Sequence, residues 1–290
     1  MNKRIGNIRS YFSFVKINHT VFSLPFALIG FSLAIRDKGD SLNLRLFLLV
    51  ILSVLFARNA AMGFNRYADR DIDKRNPRTA FREIPRDIIR PSSALWFVVV
   101  NALLFMITTW FINLLCFILS PVALIVVCGY SLTKRFTWLS HLLLGLGLSL
   151  APIGAYLAVT SRFAMLPLIY TLVVIFWVAG FDILYSLLDY EFDKSENLRS
   201  IPETFGKINA LVISGLFHFL TVVLVVYAGF LGNFSYLYWT GTTIFCLILI
   251  YEHLIVTPGD TSKVTLAFAI MNGVASIVFA GFVIADMIIL

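Results

Sequence analysis

Charged residues are scarce in this 290-residue sequence: 13% are Asp, Glu, Lys or Arg, whereas 59% are hydrophobic. A soluble domain carries about 25% charged residues, so the chain has too little polar surface to cover a water-soluble core of its size. Cysteine is also rare, and the three cysteines, without a Cys-x-x-Cys spacing, are interpreted as small hydrophobes. The four histidines are scattered without ligand spacing, which favours core or interface positions over metal ligation.

The apolar residues form uninterrupted runs of about 18–25 residues, twice the length that a transmembrane β-strand needs. The runs predict an all-α integral membrane protein with about nine transmembrane helices in a single domain, 1–290. About 19 mostly polar residues precede the first run, too many for a secretory n-region, so no cleaved signal is expected. The predicted spans are 20–35, 46–64, 94–112, 114–131, 141–159, 164–188, 208–230, 236–256 and 265–285.

The net charge of +7 lies mainly in short loops between the apolar runs, a pattern typical of membrane topology and not of nucleic-acid binding. With the N-terminus inside, the cytoplasmic segments carry 18 Lys and Arg residues and the opposite side carries 4. This asymmetry predicts a multi-pass protein of the cell inner membrane, with a cytoplasmic N-terminus and an external C-terminus. The long loops 65–93 and 189–207 are then cytoplasmic, and they hold 10 of the 16 acidic residues.

The first of these loops begins FNRYADRDID. Asn65, Asp69 and Asp73 recur every four residues, so on a helix they form one ridge with neighbours about 5–6 Å apart. Asp71 lies two residues off the ridge and is expected to face away. The ridge is a candidate metal-binding surface.

The second motif reads FDILYSLLDYEFD. On a helix, Asp182, Tyr185, Asp189 and Asp193 fall within roughly 60° of one another, while Glu191 points to the opposite side. Asp182 lies within an apolar run, where an ionisable group is costly and is by default a functional-site hypothesis.

The two motifs resemble each other. Asn65, Asp69 and Asp73 have the spacing of Tyr185, Asp189 and Asp193, and each motif is followed by Arg-x-Ile-Pro, at 82–85 and 199–202. We interpret the match as a relic of duplication, with two pseudo-repeated halves that face each other across a central cavity.

Stacked carboxylates repel one another, so two such ridges at one membrane face are expected to hold cations between them. An EF-hand run is absent, and oxygen ligands on widely spaced helical turns suit Mg²⁺, which bridges carboxylates to phosphates. A diphosphate would leave negative charge that nearby cations balance. The alternative is a set of solvated loop charges. The candidate cations are Arg70, Arg78, Arg82, Lys134, Arg135 and Arg199.

At these residues the sequence resembles the UbiA superfamily of intramembrane prenyltransferases, whose signatures are N-x-x-x-D-x-x-x-D and D-x-x-Y-x-x-x-D-x-x-x-D. The stretch Tyr130 to Arg135 also looks like the family's Y-S-x-x-K-R loop. Within the family, NPRTAFREIP and RSIP look most like bacterial 4-hydroxybenzoate polyprenyltransferases, including the branch attributed to menaquinone synthesis through futalosine. Arg86-Asp87 departs from many members, which have a small residue and glycine there.

The resemblance implies Mg²⁺-dependent transfer of a polyprenyl group from a polyprenyl diphosphate to an aromatic acid, 4-hydroxybenzoate-like or dihydroxynaphthoate-like, in ubiquinone or menaquinone biosynthesis. It implies Asn65, Asp69, Asp73, Asp189 and Asp193 as metal ligands, Asp182 and Tyr185 as further catalytic residues, and Asn65 with the six cations as substrate-binding residues. The lipid bilayer is a partner and nucleic acid is not.

Three other functions are considered for this sequence. A UbiA-type enzyme with a non-quinone acceptor shares the motifs. An ion-coupled transporter would place its ionisable residues near the midplane, whereas these lie at one face. A membrane phosphatidyltransferase would need a D-G-x-x-A-R-type motif, which is missing. Because Lys134 and Arg135 lie outside both Asp motifs, we hypothesise that Arg135 contributes to binding of the acceptor carboxylate. Tail length, acceptor identity and oligomeric state stay open.

Overall fold

The computed structural model describes residues 8–16, 20 and 22–289, and within them the chain is helical, with a single isolated β-bridge between Thr257 and Asp260. A 3-10 turn (Leu187–Asp189) joins the eighth and ninth helices, and a π-helical turn (Leu266–Met271) leads into the last. The helices are α1 (Ile8–Phe14), α2 (Leu24–Lys38), α3 (Leu44–Ala68), α4 (Arg70–Arg75), α5 (Pro91–Ile112), α6 (Leu114–Thr133), α7 (Ser140–Thr160), α8 (Met165–Ser186), α9 (Tyr190–Ser195), α10 (Ile201–Leu231), α11 (Tyr236–Ile255) and α12 (Asn272–Ile289).

Eight helical segments in the described part of the chain are long and apolar enough to cross a membrane, and they fall on eight of the nine predicted spans. They begin with α3 and α5, and the last is the π-helical turn together with α12. At the remaining predicted span lies α2, which has 15 residues. At 1.5 Å per residue it measures about 22 Å, shorter than a hydrocarbon core of about 30 Å. The fold is therefore the expected membrane bundle, with one short helix.

Local signals explain several helix ends. Pro91 begins α5, where its missing N–H is not needed. The Asn113 side chain caps α6 by accepting the Cys116 backbone N–H at 2.8 Å, and its Nδ2 donates to the Leu157 carbonyl of α7 at 2.9 Å. One residue thus joins α5 to α6, as the sequence predicts, and its side chain satisfies backbone groups of α6 and α7.

The helix α10 begins earlier than the predicted span 208–230. The Ser200 hydroxyl caps it by accepting the Glu203 backbone N–H at 3.3 Å, and Pro202 lies in its first turn. At Gly206 the backbone has φ +82° and ψ 161°, a conformation that glycine adopts without steric cost, and the helix kinks there. The kink separates the membrane part of α10 from a first turn that lies beside the second Asp motif.

The core forms around α8, which packs against α2, α7 and α10. Trp177 of α8 is fully buried, and its ring contacts Phe26 of α2 at 5.2 Å between centroids and Phe245 of α11 at 6.0 Å. On the α7 side, Gly145 lies against the backbone of Ile175, where a Cβ would collide with the carbonyl. Close backbone approach and dispersion contacts, not water exclusion, hold such bundles together in lipid. The second Asp motif extends from this anchored helix.

The outer surface of the bundle is apolar. Large side chains such as Trp96, Trp110, Phe219 and Leu254 are more than half exposed. A water-soluble protein does not expose apolar surface on this scale. The arrangement agrees with a belt of lipid contacts around the helices.

Candidate active site

A cavity of about 710 Å³ extends from the two Asp motifs into the helix bundle. We call the part lined by the motifs its motif end. The rest, its apolar end, is lined mainly by α3, α5, α6 and α7 and reaches the surface near Val122 and Phe163, both more than half exposed. The motif end is lined by charged side chains and the apolar end by hydrophobic ones. This division fits an amphiphile with an anionic head and an apolar tail.

The sequence pattern placed the first motif on a helix. In the structure, this motif is divided between two helices. The helix α3 ends at Ala68, and Asp69, with φ −91° and ψ 4°, separates it from α4. The Asp69 N–H still bonds to the Asn65 carbonyl at 2.9 Å, and the Asp73 N–H bonds to the Asp69 carbonyl at 2.7 Å. Because these i to i−4 bonds continue through the break, the three side chains keep their common face.

The second motif has a break at the equivalent place. The helix α8 ends after Tyr185 and Ser186, the 3-10 turn ends at Asp189, and α9 follows. Asp189 has φ −103° and ψ 4°, nearly the angles of Asp69. The sequence match between the motifs therefore extends to the backbone, which agrees with the inferred duplication.

Each carboxylate of the first motif binds cationic side chains. Asp69, 2% exposed, contacts the Lys134 Nζ at 2.9 Å and the Arg135 Nη2 at 3.4 Å, and it accepts the Asn65 amide at 3.2 Å. Asp73 receives the Arg82 Nη1 on both oxygens, at 2.6 and 2.8 Å. The two contacts between Arg82 and Asp73 are short charge-assisted hydrogen bonds of the strong class.

Asp189 of the second motif is bound from the first motif's loop. The Arg78 guanidinium contacts both of its oxygens, the Asn76 Nδ2 donates to it at 2.9 Å, and the Arg78 Nη1 donates to the Tyr185 hydroxyl at 2.6 Å. Although burial opposes the charged form, the hydrogen bond and charge of Asp189, with those of Tyr185, raise the pKa of Arg78 above its ordinary value. Arg78 thus joins the two motifs as a permanent cation.

Asp182 lies deeper in α8 and has a different kind of partner. Its Oδ2 is 2.8 Å from the Nδ1 of His141, the second residue of α7. The other ring nitrogen, Nε2, accepts the Ile201 backbone N–H at 3.3 Å. An imidazole nitrogen that accepts a hydrogen bond carries no proton, so Nδ1 is the protonated nitrogen and donates to Asp182. One carboxylate oxygen is held in place, and Asp182 lines the cavity.

The remaining predicted residues divide into two groups. Asp193 lines the cavity beside Asp189. Arg70 and Arg199 do not line it: Arg70 donates to the Tyr67 carbonyl at 2.8 Å and stacks over that ring, and Arg199 is exposed. Arg135 contacts Asp69 and donates to the Ala68 carbonyl at 2.5 Å, which places it against the first Asp motif. Arg135 lies outside that motif in sequence but beside it in the structure.

Several cavity residues were not among the site residues predicted from the sequence. His141 was interpreted as a core or interface residue because the four histidines lack ligand spacing, yet it contacts Asp182, 41 positions away. Arg58 and Arg66 sit within or at the end of an apolar span, and Arg58 donates to the carbonyls of Val15 and Lys16. Buried cations in a membrane segment are the signal that could have singled them out. His218 does pack, against His253 at 3.0 Å, and His19 lies outside the described residues.

A metal ion could be held only after some rearrangement. Among the residues that the structure describes, no three Asp, Glu, His or Cys side chains are gathered closely enough to hold one. The physical reason is visible in the contacts: Asp69, Asp73 and Asp189 are each turned toward a lysine or arginine. The donors themselves, carboxylates with the Asn65 amide, are hard oxygen ligands of the type that Mg²⁺ takes.

Comparison with known proteins identifies the family. The model of the UbiA prenyltransferase family matches residues 23–280. The 4-hydroxybenzoate octaprenyltransferase of Vesicomyosocius okutanii subsp. Calyptogena okutanii (strain HA) is 26% identical over 243 residues, 84% of this chain and 89% of that protein. That of Burkholderia ambifaria is 28% identical over 236 residues, 81% of each chain.

Solved structures agree. A UbiA homolog from Aeropyrum pernix K1 superimposes with a TM-score of 0.84 and 30% identity, covering 94% of this chain and 99% of that one. A UbiA homolog from Archaeoglobus fulgidus bound to DMAPP and Mg²⁺ has a TM-score of 0.76 over 97% of this chain and all of that one; at 21% identity it shows the fold alone. The chain belongs to the UbiA prenyltransferase family and is an integral membrane prenyltransferase.

Proposed function

We propose that this prenyltransferase moves a polyprenyl group from a polyprenyl diphosphate to an aromatic acid, in a Mg²⁺-dependent reaction of ubiquinone or menaquinone biosynthesis. The observation that carries the proposal is the meeting of both Asp motifs, with three bound cationic side chains, at one end of an apolar cavity. The names of the relatives support 4-hydroxybenzoate-like acceptors, and dihydroxynaphthoate-like acids share the same chemistry. The apolar end of the cavity is the place for the prenyl tail.

The metal requirement rests on the donor set and on the Mg²⁺-bound relative. Asn65, Asp69, Asp73, Asp189 and Asp193 would hold the metal, which when bound neutralises the diphosphate and makes it a better leaving group. Arg78, Arg82 and Lys134 line the motif end of the cavity. On the proposed function they bind diphosphate oxygens and stabilise the charge that develops as the allylic carbon–oxygen bond breaks.

The reaction also releases a proton from the aromatic ring carbon that attacks the prenyl group. Asp182 is our proposed acceptor of that proton, because it lines the cavity as a carboxylate whose Oδ2 is fixed by the His141 Nδ1–H. His141 is a positioning residue, since its Nε2 is occupied by the Ile201 N–H and takes no proton. Arg70, Arg135 and Arg199 keep their expected roles in substrate binding as part of the proposal, with Arg135 assigned to the Asp69 side.

The variants Asp182→Asn and His141→Asn test this assignment. Asp182→Asn should lower kcat by about 100-fold or more without changing Mg²⁺ binding, since general base catalysis contributes 10²–10⁴-fold. His141→Asn should lower kcat less and leave the KM for prenyl diphosphate unchanged. An Asp182→Asn enzyme with normal kcat would refute the assignment of the base.

We also propose that the chain is one domain in the cell inner membrane, with the N-terminus and both Asp motifs cytoplasmic and the C-terminus outside. The charge asymmetry of 18 to 4 supports this orientation.

The proposed function is tested by incubating the purified protein with polyprenyl diphosphates of several lengths and candidate aromatic acids, with products identified by mass spectrometry. A prenylated aromatic acid that forms with Mg²⁺ and not with EDTA is expected. Prenylation of a non-acidic acceptor alone, under the same conditions, would contradict the acceptor class. An Asp69→Asn protein serves as the inactive control.

A further inference from the structure

Arg66 is a buried cation without a partner in the part of the chain that the structure describes. Its side chain lines the cavity, the residue is 4% exposed, and both Nε and Nη1 are buried without a hydrogen bond. An unpaired buried charge is strongly destabilising in general. We expect a protein to retain such a cation where a bound ligand supplies its hydrogen-bond partners.

None of the carboxylates in the described part of the chain pairs with Arg66. The carboxylates that influence Arg66 are Asp73 and Glu83. Asp73 has both oxygens on Arg82, and Glu83 accepts the Ser13 hydroxyl at 2.6 Å; neither forms an ion pair with Arg66. Arg82 and Tyr130 are the other charged or titratable neighbours of Arg66 among the described residues.

The other guanidinium groups that line the described cavity differ from Arg66 in this respect. Arg58 donates to two backbone carbonyls, Arg78 to Asp189 and Tyr185, and Arg82 to Asp73. Arg66 follows Asn65 at the inner end of the first motif, about one helical turn deeper in the bundle than Asp69. Arg66 therefore lies deeper in the cavity than the ion pairs of Asp69, Asp73 and Asp189.

We propose that Arg66 binds an oxyanion of a substrate inside the cavity. A carboxylate or phosphate oxygen pair matches the planar fork of a guanidinium. The oxyanion comes from the acceptor's carboxylate or from the diphosphate, and in either case Arg66 fixes how deep the ligand sits. The acceptor arm of this inference rests on the proposed function, whereas the anion-binding property does not.

Binding without turnover tests the proposal. Purified wild-type protein, Arg66→Gln and Arg66→Lys are titrated calorimetrically with three probes: 4-hydroxybenzoate, the neutral 4-hydroxybenzyl alcohol, and geranyl thiolodiphosphate with Mg²⁺. Arg66→Gln should weaken one of the two anions by about 10- to 100-fold and leave the neutral probe unchanged. Arg66→Lys should show a smaller loss. The anion that is affected identifies the source.

Stability separates this role from a structural one. Without ligand, Arg66→Gln should unfold at the same temperature as the wild type or at a higher one, because an uncompensated charge has been removed. The control Arg86→Gln, an exposed cation of the same segment, should change neither binding nor stability. Destabilisation of ligand-free Arg66→Gln, or unchanged binding of both anions by it, would overturn the inference. A wild type that binds an anion through Arg66 yet transfers no prenyl group would contradict only the proposed function.

Discussion

On the proposed function, Arg82 and Mg²⁺ compete for the Asp73 carboxylate, so removing Arg82 should strengthen Mg²⁺ binding while it weakens catalysis. The Arg82 Nη1 lies 2.6 and 2.8 Å from the two oxygens of Asp73. Arg82→Gln removes this cation and keeps a polar side chain. In the absence of diphosphate, both oxygens of Asp73 are then available to Mg²⁺. With diphosphate present, the enzyme lacks a cation for the leaving group.

The size of both effects follows from the burial of the pair. The Asp73 side chain is 5% exposed and that of Arg82 is 22% exposed, so water screens them little. A charge-assisted hydrogen bond to a carboxylate contributes about 1.5–3 kcal/mol. The Kd for Mg²⁺ should therefore fall by about 10- to 100-fold. Ligand-free Arg82→Gln should lose about 1–3 kcal/mol of stability, because the buried Asp73 charge is left unpaired, and Mg²⁺ should restore most of it.

The assays are calorimetric titration of MgCl₂ into purified protein, thermal unfolding with and without Mg²⁺, and steady-state kinetics at saturating Mg²⁺. We expect kcat/KM for prenyl diphosphate to fall by about 100-fold or more, as for loss of an electrostatic stabiliser of a leaving group. Arg86→Gln is again the control for a lost surface charge. Weaker or unchanged Mg²⁺ binding by Arg82→Gln would refute the competition, whatever happens to the rate.

Two further predictions concern the acidic residues outside the cavity and the orientation of the chain. Asp71→Asn and Glu191→Gln should keep activity within about 3-fold, because their side chains are 74% and 79% exposed and do not line the cavity; losses as large as those of the motif aspartates would contradict the geometry. Single cysteines at Ser92 and Ser195, in a cysteine-free background, should react with an impermeant maleimide only from the cytoplasm, and one at Ser41 only from outside. Reversed labelling would overturn the topology.

The positions of the spans and the common faces of the motifs were predictable because both depend on local periodicity. Runs of apolar residues and a spacing of four need no knowledge of the rest of the chain. The helix breaks at Asp69 and Asp189 carry no such signal, since neither proline nor glycine is nearby in sequence. At the first break, Arg135 of a distant segment donates to the freed Ala68 carbonyl. A tertiary contact of this kind is invisible to local analysis.

The ranking of the cations was not predictable for the same reason. Arg70 is three residues from Asp73 in sequence, yet it stacks on Tyr67 beside its own helix. Arg78 reaches Asp189, 111 residues away, because the segment after α4 folds back across the motif end of the cavity. Proximity in sequence to a motif aspartate therefore says little about which arginine binds it. The fold of the loop determines which arginine binds a motif aspartate.

The pairing of the site explains why the chain places its acids in its most basic loops. Without a ligand, carboxylates from two repeats would repel across the cavity, and Lys134, Arg82 and Arg78 neutralise them one by one. On the proposed function, a Mg²⁺-bound diphosphate brings both signs of charge at once. The carboxylates would then hold the metal and the released cations would bind the phosphates, so that these groups stay balanced in charge before and after binding. Because Asp69, Asp73 and Asp189 are paired while the site is empty, they do not repel one another across the cavity, and the same cations are available to a highly charged headgroup.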